Sequence, residues 1–138
     1  MKEIKPGIRN ILPIPSEVES IGSEIVDSAY KVHKSLGPGL LEKIYEACLQ
    51  HELQKRGLKV ERQVSIPIKY DNITFDEGLI VDLIVENKVI IELKAVDQIN
   101  PVWKAQLLSH LRLTKLRLGY LINFNTINIG KGINRLAL

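Results

Sequence analysis

The sequence predicts an α/β protein of the α+β type, in which helices flank a mixed central sheet that contains an antiparallel three-strand meander. Residues 58–96 alternate between apolar and polar side chains and are rich in β-branched residues, which is typical of strands. Apolar residues recur at three- and four-residue steps in 16–56 and 101–114, which indicates helices. The apolar segment 118–124 is typical of a buried strand. The predicted order is therefore ααβββαβ, with a short edge strand over 133–138 at the end.

The composition is that of an ordinary globular domain. The chain has 138 residues, of which 45% are hydrophobic and 25% are charged, so residues 16–138 are expected to form a single domain. Residues 1–15 contain three prolines and show no period, which predicts an irregular N-terminal arm. No apolar run approaches the roughly 20 residues of a membrane span, and no apolar signal core begins the chain. We therefore expect a cytoplasmic protein that does not use a membrane.

Charge and side-chain chemistry narrow the classes of partner. The formal net charge of +3 permits a polyanionic partner without requiring one. One Trp, four Tyr and two Phe are too few for a surface that stacks many bases or sugar rings. Cys48 is the single cysteine, so it forms neither an internal disulfide nor a zinc cluster and is expected to pack as a small hydrophobe.

Two helices are predicted before the strands. Ser16 with Glu19 three residues later is typical of a capping box that begins the first helix, and Gly37-Pro38-Gly39 ends it. The second helix is predicted from about Leu40 to Arg56, with Gly57 as its stop.

Glu42 lies in the first turn of the second predicted helix, one turn from Tyr45. Its face of that helix is otherwise apolar because it continues through Leu49 and Leu53. A glutamate in the first turn complements the positive end of the helix dipole. The residues alone therefore favour a structural role for Glu42 and leave a functional role open.

The segment GLIVDLIVENKVIIELKAV, residues 78–96, is predicted to be a β-hairpin. If its turn centres on Asn87, Val85 lies opposite Val89. The same register places Asp82 opposite Glu92. Two acids then sit side by side on neighbouring strands.

The two faces of this hairpin differ in chemistry. One face is wholly apolar and consists of Val81, Leu83, Val85, Val89, Ile91, Leu93 and Ala95. The other face combines three isoleucines with charged residues and consists of Ile80, Asp82, Ile84, Ile90, Glu92 and Lys94. Hydrophobicity on both faces predicts a covered hairpin, where unpaired charge costs roughly several kcal/mol.

Two adjacent carboxylates with an ammonium beside them predict an oxygen-rich site for a hard divalent cation such as Mg²⁺. Asp82 and Glu92 would supply the carboxylates and Lys94 the ammonium. The alternative is a structural ion pair between Lys94 and a carboxylate at the strand end, which would explain one acid but not both.

The third predicted helix begins near Pro101, which suits a first helical turn. Its apolar face includes Trp103, Leu107 and Leu111 and also carries Gln106. An outward-turned side chain is one interpretation of Gln106, and a polar contact at a site is the other. A helix of this length allows the next strand to return parallel to the strand that carries Glu92.

These motifs together resemble a known family. Val81-Asp82, nine intervening residues and then Glu92-Leu93-Lys94 resemble the motif of the PD-(D/E)XK nuclease superfamily, with valine in place of its proline. Gly39-Leu-Leu-Glu42-Lys-Ile-Tyr45 is similar to the signature of the GxxExxY protein family. The blocks LGPGLLEKIYEACL, VIIELKAV, AQLLSHL and LGYLINFN also resemble that family in order. The resemblance covers roughly residues 20–138.

The resemblance implies a restriction-endonuclease-like core and a metal-dependent nuclease. By similarity, Asp82 and Glu92 would bind Mg²⁺ or Mn²⁺, and Lys94 would orient the attacking water or stabilise charge on the phosphate. Glu42 would be an additional acid at the metal, and Gln106 a polar residue directed at the site. Substrate-reading residues do not transfer by similarity.

Three functions from different classes fit the sequence. The leading hypothesis is a small phosphodiesterase that cleaves DNA or RNA, aided by a homodimer or a partner protein because so small a chain offers a duplex only one shallow cleft. The second is a non-catalytic module that binds nucleic acid or protein on a nuclease-like scaffold. The third is a retaining glycosidase, which Lys94 disfavours because an ammonium lowers the pKa that a general acid needs raised.

Overall fold

A computed structural model describes residues 12–138 of the protein. Residues 12–15 contain no helix or strand, and residues 1–11 of the predicted irregular arm lie outside the described part of the chain. The elements in order are α1 (Ser16–Leu36), α2 (Glu42–Lys55), β1 (Val60–Tyr70), β2 (Ile73–Val85), β3 (Val89–Lys94), α3 (Val102–Thr114), β4 (Leu118–Asn123), α4 (Ile129–Gly132) and β5 (Ile133–Ala137).

The five strands form one mixed sheet in the order β1-β2-β3-β4-β5. Neighbouring strands are antiparallel except β3 and β4, which run parallel and are joined through α3. The sheet therefore confirms the predicted fold class, the three-strand meander, the parallel return after the third helix and the short edge strand at the end.

The β2–β3 hairpin has the predicted register. Leu83 pairs with Ile91 and Val85 with Val89, so the hairpin centres on Asn87. Glu86 and Asn87 adopt positive φ angles of 53° and 55°, the conformation that tight turns between antiparallel strands favour because it matches their twist.

Helices cover both faces of the sheet. The larger apolar cluster lies between α1, α2 and one face, where Ile25, Leu49 and Leu83 are fully buried. The smaller cluster lies under α3, where Leu107 and Leu111 are fully buried against the opposite face. The hairpin is thus covered on both sides from Val81 onward, as its hydrophobicity predicts, whereas Ile80 is exposed.

The alternation of side chains along β2 breaks at the acid. Val81 packs in the cluster under α3, whereas Leu83 packs in the cluster under α1 and α2. The prediction that Val81 shares a face with Leu83 was therefore wrong. Across from this point, Gln63 of β1 has a φ of 49°, and a left-handed residue inside a strand locally disturbs the regular pleat.

Two further details separate the structure from the predicted elements. Pro15 occupies the N-cap of α1 and no side-chain cap bond forms, so the predicted capping box at Ser16 was wrong. The predicted order has no helix between the fourth strand and the last one, and this segment contains the four-residue α4. The sequence is consistent with the structure at Pro67. Because proline cannot donate to a ladder, it favours an edge or bulged strand, and β1 is an edge strand whose register against β2 shifts between Ile66 and Ile68.

Candidate metal centre

The candidate site begins where β2 and β3 separate. Leu83 and Ile91 form the last pair of this ladder. Beyond this pair, a side chain replaces the backbone carbonyl as hydrogen-bond acceptor, because Asp82 Oδ2 accepts a hydrogen bond from the Leu93 N–H at 2.8 Å. This bond holds the Asp82 carboxylate beside Glu92, as the predicted register requires.

Glu92 is half-buried next to Asp82, and its pKa is raised. Burial is the largest cause, and the charge of Asp82 adds to it because two adjacent carboxylates repel each other. His110 opposes the shift, since its Nδ1 lies 3.2 Å from Glu92 Oε1 and bonds to the charged form. A raised pKa with a carboxylate neighbour marks a pair of acids that a cation would stabilise.

Lys94 follows Glu92 by two residues on β3. Its Nζ lies 4.4 Å from the centre of the Trp103 ring on α3, which is the geometry of a cation–π contact. The ring therefore helps to hold the ammonium near the two acids rather than in open solvent.

Glu42 is the first residue of α2 and is exposed at the surface. Partial desolvation by the surrounding atoms is the main cause of its raised pKa, the charge of Asp82 raises it further, and Lys94 lowers it. Glu42 therefore experiences the fields of both residues and lies on the solvent side of the same group. The structure brings it to the predicted site.

Gln106 lies one turn after Trp103 on α3 and is exposed at the surface. It lines a small cavity together with Glu92, Lys94 and His110. This cavity of about 20 Å³ has room for roughly one water molecule. All five residues predicted for the site, Glu42, Asp82, Glu92, Lys94 and Gln106, therefore lie around one group.

Sequence reasoning missed a layer of polar residues behind the acids. Glu46 is buried, accepts a hydrogen bond from Arg62 at 3.2 Å and another from Gln63 at 2.7 Å. Gln63 Nε2 also donates to Asp82 Oδ1 at 3.3 Å. The Gln63 amide therefore links Glu46 of α2 to Asp82 of β2 and helps to hold these two elements together at the site.

His110 and Glu46 each had a signal in the sequence. His110 follows Gln106 by four residues, and Glu46 follows Glu42 by four, which places each pair on one helix face. Gln63 had no such signal, because its role depends on a left-handed backbone conformation that the sequence does not indicate.

Tyr45 positions the start of α2. Its hydroxyl donates to the Gly37 carbonyl at 2.6 Å and accepts from the Leu40 N–H at 3.1 Å. Its ring stacks on Phe124 with centroids 4.7 Å apart. Gly39 has a φ of 100°, which favours glycine. The Gly39 to Tyr45 segment is therefore a structural device that places Glu42 at the edge of the site.

The donor set fits a hard divalent cation in part. Within residues 12–138, no three His, Cys, Asp or Glu side chains are arranged as they stand to hold a metal ion together. Mg²⁺ needs only one or two protein carboxylates, since it keeps several waters. Asp82 and Glu92 meet that requirement, with Glu42 close enough to influence them electrostatically.

Comparison with protein families decides the assignment. The family model described as the PD-(D/E)XK nuclease superfamily matches residues 19–136. The chain belongs to this superfamily. Nucleases of the superfamily generally use divalent metals, typically Mg²⁺. No curated protein and no solved structure matches the chain at the significance required.

Membership of the PD-(D/E)XK superfamily supports a nuclease and the binding of nucleic acid. In the part of the chain from residue 12 to residue 138, no helix has both the length and the apolar character of a membrane span.

Proposed function

We propose that the protein is a Mg²⁺- or Mn²⁺-dependent nuclease that hydrolyses phosphodiester bonds of DNA or RNA. The observation that carries the proposal is the bond from the Leu93 N–H to Asp82, which holds one carboxylate beside Glu92 while Lys94 lies two residues farther along the same strand. Similarity of the Gly39 to Tyr45 segment to the GxxExxY family supports the same assignment.

The acids have the simplest roles. Asp82 and Glu92 would hold the cation through carboxylate oxygens, and Glu42 would add a third acid from the solvent side. The bound ion would neutralise charge at the scissile phosphate and promote ionisation of the attacking water. His110 bonds to Glu92 Oε1 and so leaves the second oxygen of that carboxylate for the cation.

Lys94 and Gln106 would act on the phosphate and the water. The Lys94 ammonium lies over the Trp103 ring and lines the same small cavity as Glu92, where it would stabilise negative charge that develops on the phosphate or orient the water. Gln106 borders the cavity beside Lys94 and Glu92, so its amide would hold a water through hydrogen bonds.

Calorimetric titration tests the metal assignment. The wild-type protein should bind Mn²⁺, whereas Asp82→Asn and Glu92→Gln should each abolish measurable binding. Asp76→Asn is the matched control because Asp76 lies on the same strand and is exposed. Equal Mn²⁺ affinity of all four proteins would refute the assignment.

A cleavage assay tests turnover. With Mn²⁺ present, the wild-type protein should cleave at least one of single- or double-stranded DNA and RNA, and Lys94→Ala should lower the rate roughly 10²–10³-fold, as loss of a transition-state donor does. Lys69→Ala, in the exposed part of the β1–β2 hairpin, should leave the rate unchanged.

The second candidate is a non-catalytic module that binds nucleic acid or protein. The absence of a ready three-residue metal cluster within residues 12–138 favours it. Retention of nucleic-acid binding without hydrolysis of any of these substrates would support this module over the nuclease.

We also propose a cytoplasmic location and, for duplex substrates, a homodimer or a partner protein that extends the single cleft. Light scattering with and without duplex DNA tests the homodimer, since dimerisation would double the mass of the protein.

A further inference from the structure

We infer that a second cleft, built by α3 and the segment after β4, binds a backbone phosphate of a nucleic-acid strand whose other phosphate lies at the metal centre. This inference rests on the proposed nucleic-acid substrate. The lysine cleft is the hollow of about 400 Å³ bordered by Pro101, Lys104, Thr126, Lys131 and Asn134.

The electrostatics of the lysine cleft favour an anion. Lys104 comes from α3 and Lys131 from α4, so two separate elements direct ammonium-bearing residues to one hollow. None of its lining residues is acidic. Among residues 12–138, neither lysine lies within 4.0 Å of a carboxylate oxygen. Two like charges that share a hollow without a counter-charge are stabilised by a bound anion.

The polar floor of the cleft is already ordered. Asn123 is buried, its Oδ1 accepts from the Val96 N–H at 3.1 Å, and its Nδ2 donates to the Val96 carbonyl at 2.9 Å. Asn134 Nδ2 donates to the carbonyls of Leu121 and Gly132, each at 3.3 Å. Because the Asn123 and Asn134 amides already hydrogen-bond to the backbone, the Lys104 and Lys131 ammonium groups are the ones available to bind a ligand.

Gly132 keeps the lysine-bearing segment close to the sheet. A Cβ at this position would clash with the Asn123 carbonyl oxygen, so any larger residue would push α4 outward. Lys131 precedes this close approach directly and is therefore placed above the end of β4.

The lysine cleft borders the metal centre through shared elements. In the β3–β4 ladder Asn123 of the cleft floor pairs with Lys94, and the Phe124 N–H donates to the Lys94 carbonyl at 2.9 Å. On α3, Lys104 directly follows Trp103, whose ring holds the Lys94 ammonium. A strand that passes over the N-terminal turn of α3 would therefore meet both sites.

Anisotropy with a labelled single-stranded oligonucleotide in EDTA tests the inference, because binding is then measured without metal and without cleavage. Lys104→Gln/Lys131→Gln should weaken binding at low salt about 10- to 100-fold and reduce the slope of log K against log salt by roughly 0.7, which corresponds to one phosphate contact on a single strand. The matched control Lys69→Gln/Lys115→Gln removes the same charge elsewhere and should have a smaller effect on both quantities.

Several outcomes would overturn the inference. Equal affinity and equal salt slope for the cleft variant and the matched control would show that the cleft makes no specific phosphate contact. Inorganic phosphate that binds tightly at the cleft without competing with the oligonucleotide would assign the cleft to a free anion instead.

The same variants separate this inference from the proposed function. Lys104→Gln/Lys131→Gln should retain the Mn²⁺ affinity of the wild-type protein, because neither lysine belongs to the metal centre. If the wild-type protein bound no Mn²⁺ but Lys104→Gln/Lys131→Gln still lost oligonucleotide affinity, the result would support the lysine cleft and refute the metal-dependent nuclease.

Discussion

Tyr45→Phe should destabilise the protein through the segment that precedes α2. The substitution removes one hydroxyl and leaves the stacked ring against Phe124 in place. Two hydrogen bonds are lost, to the Gly37 carbonyl at 2.6 Å and from the Leu40 N–H at 3.1 Å. At about 1 kcal/mol for each bond, the free energy of unfolding should fall by about 2 kcal/mol.

Urea denaturation followed by circular dichroism measures this change in the free energy of unfolding. In a thermal scan, the melting temperature should fall by about 8 °C. Tyr70→Phe is the matched control, because Tyr70 is 74% exposed at the tip of the β1–β2 hairpin. That variant should remain within about 0.5 kcal/mol of the wild-type protein.

The same variant tests whether Tyr45 places Glu42. If the loop before α2 loosens, Mn²⁺ affinity should fall along with stability. Equal stability of Tyr45→Phe and Tyr70→Phe would refute the reasoning, since it would mean that the two hydrogen bonds contribute nothing net.

Three further predictions concern buried and strained groups. Because the pKa of Glu92 is raised in the folded protein, metal-free stability should decline as pH rises from the unfolded carboxyl pKa through the folded one. Urea midpoints of Glu92→Gln across pH should show a smaller decline, which leaves the part that the raised pKa of Glu42 contributes. Ser28 Oγ is buried without a hydrogen-bond partner within residues 12–138, so Ser28→Ala should raise the free energy of unfolding by about 1 kcal/mol in urea titration. Gln63→Gly relieves a left-handed backbone worth about 1–2 kcal/mol but deletes the bonds to Asp82 and to the buried Glu46, so the free energy of unfolding should fall by about 1–2 kcal/mol net. Calorimetry should show weaker Mn²⁺ binding, and unchanged Mn²⁺ affinity would contradict a positioning role.

The register of the β2–β3 hairpin could be predicted because a covered hairpin tolerates only one alignment of its apolar residues. Shifting the strands by one residue would turn Ile91 and Leu93 from the α1–α2 side to the α3 side. Once the register is known, Asp82 must lie near Glu92. The acids of the site were therefore predictable from periodicity, whereas their roles in catalysis stay predictions.

Other features depended on geometry that residue types do not determine. Gln63 joins Glu46 to Asp82 because its backbone is left-handed, a conformation that a glutamine seldom adopts. Val81 changes sides at the same irregularity. Ser16 is a good capping residue by type, but Pro15 occupies the N-cap of α1 and Ser16 is the first helical residue, since helix ends vary by a residue with the path of the preceding chain.

The bond between the Leu93 N–H and the Asp82 carboxylate makes the sheet itself sensitive to the ion. A side chain here performs the task of a backbone carbonyl, so a cation that draws charge from Asp82 would also weaken the last rung between β2 and β3. The NMR chemical shift of the Leu93 amide proton should therefore change when the ion binds, even in the absence of nucleic acid.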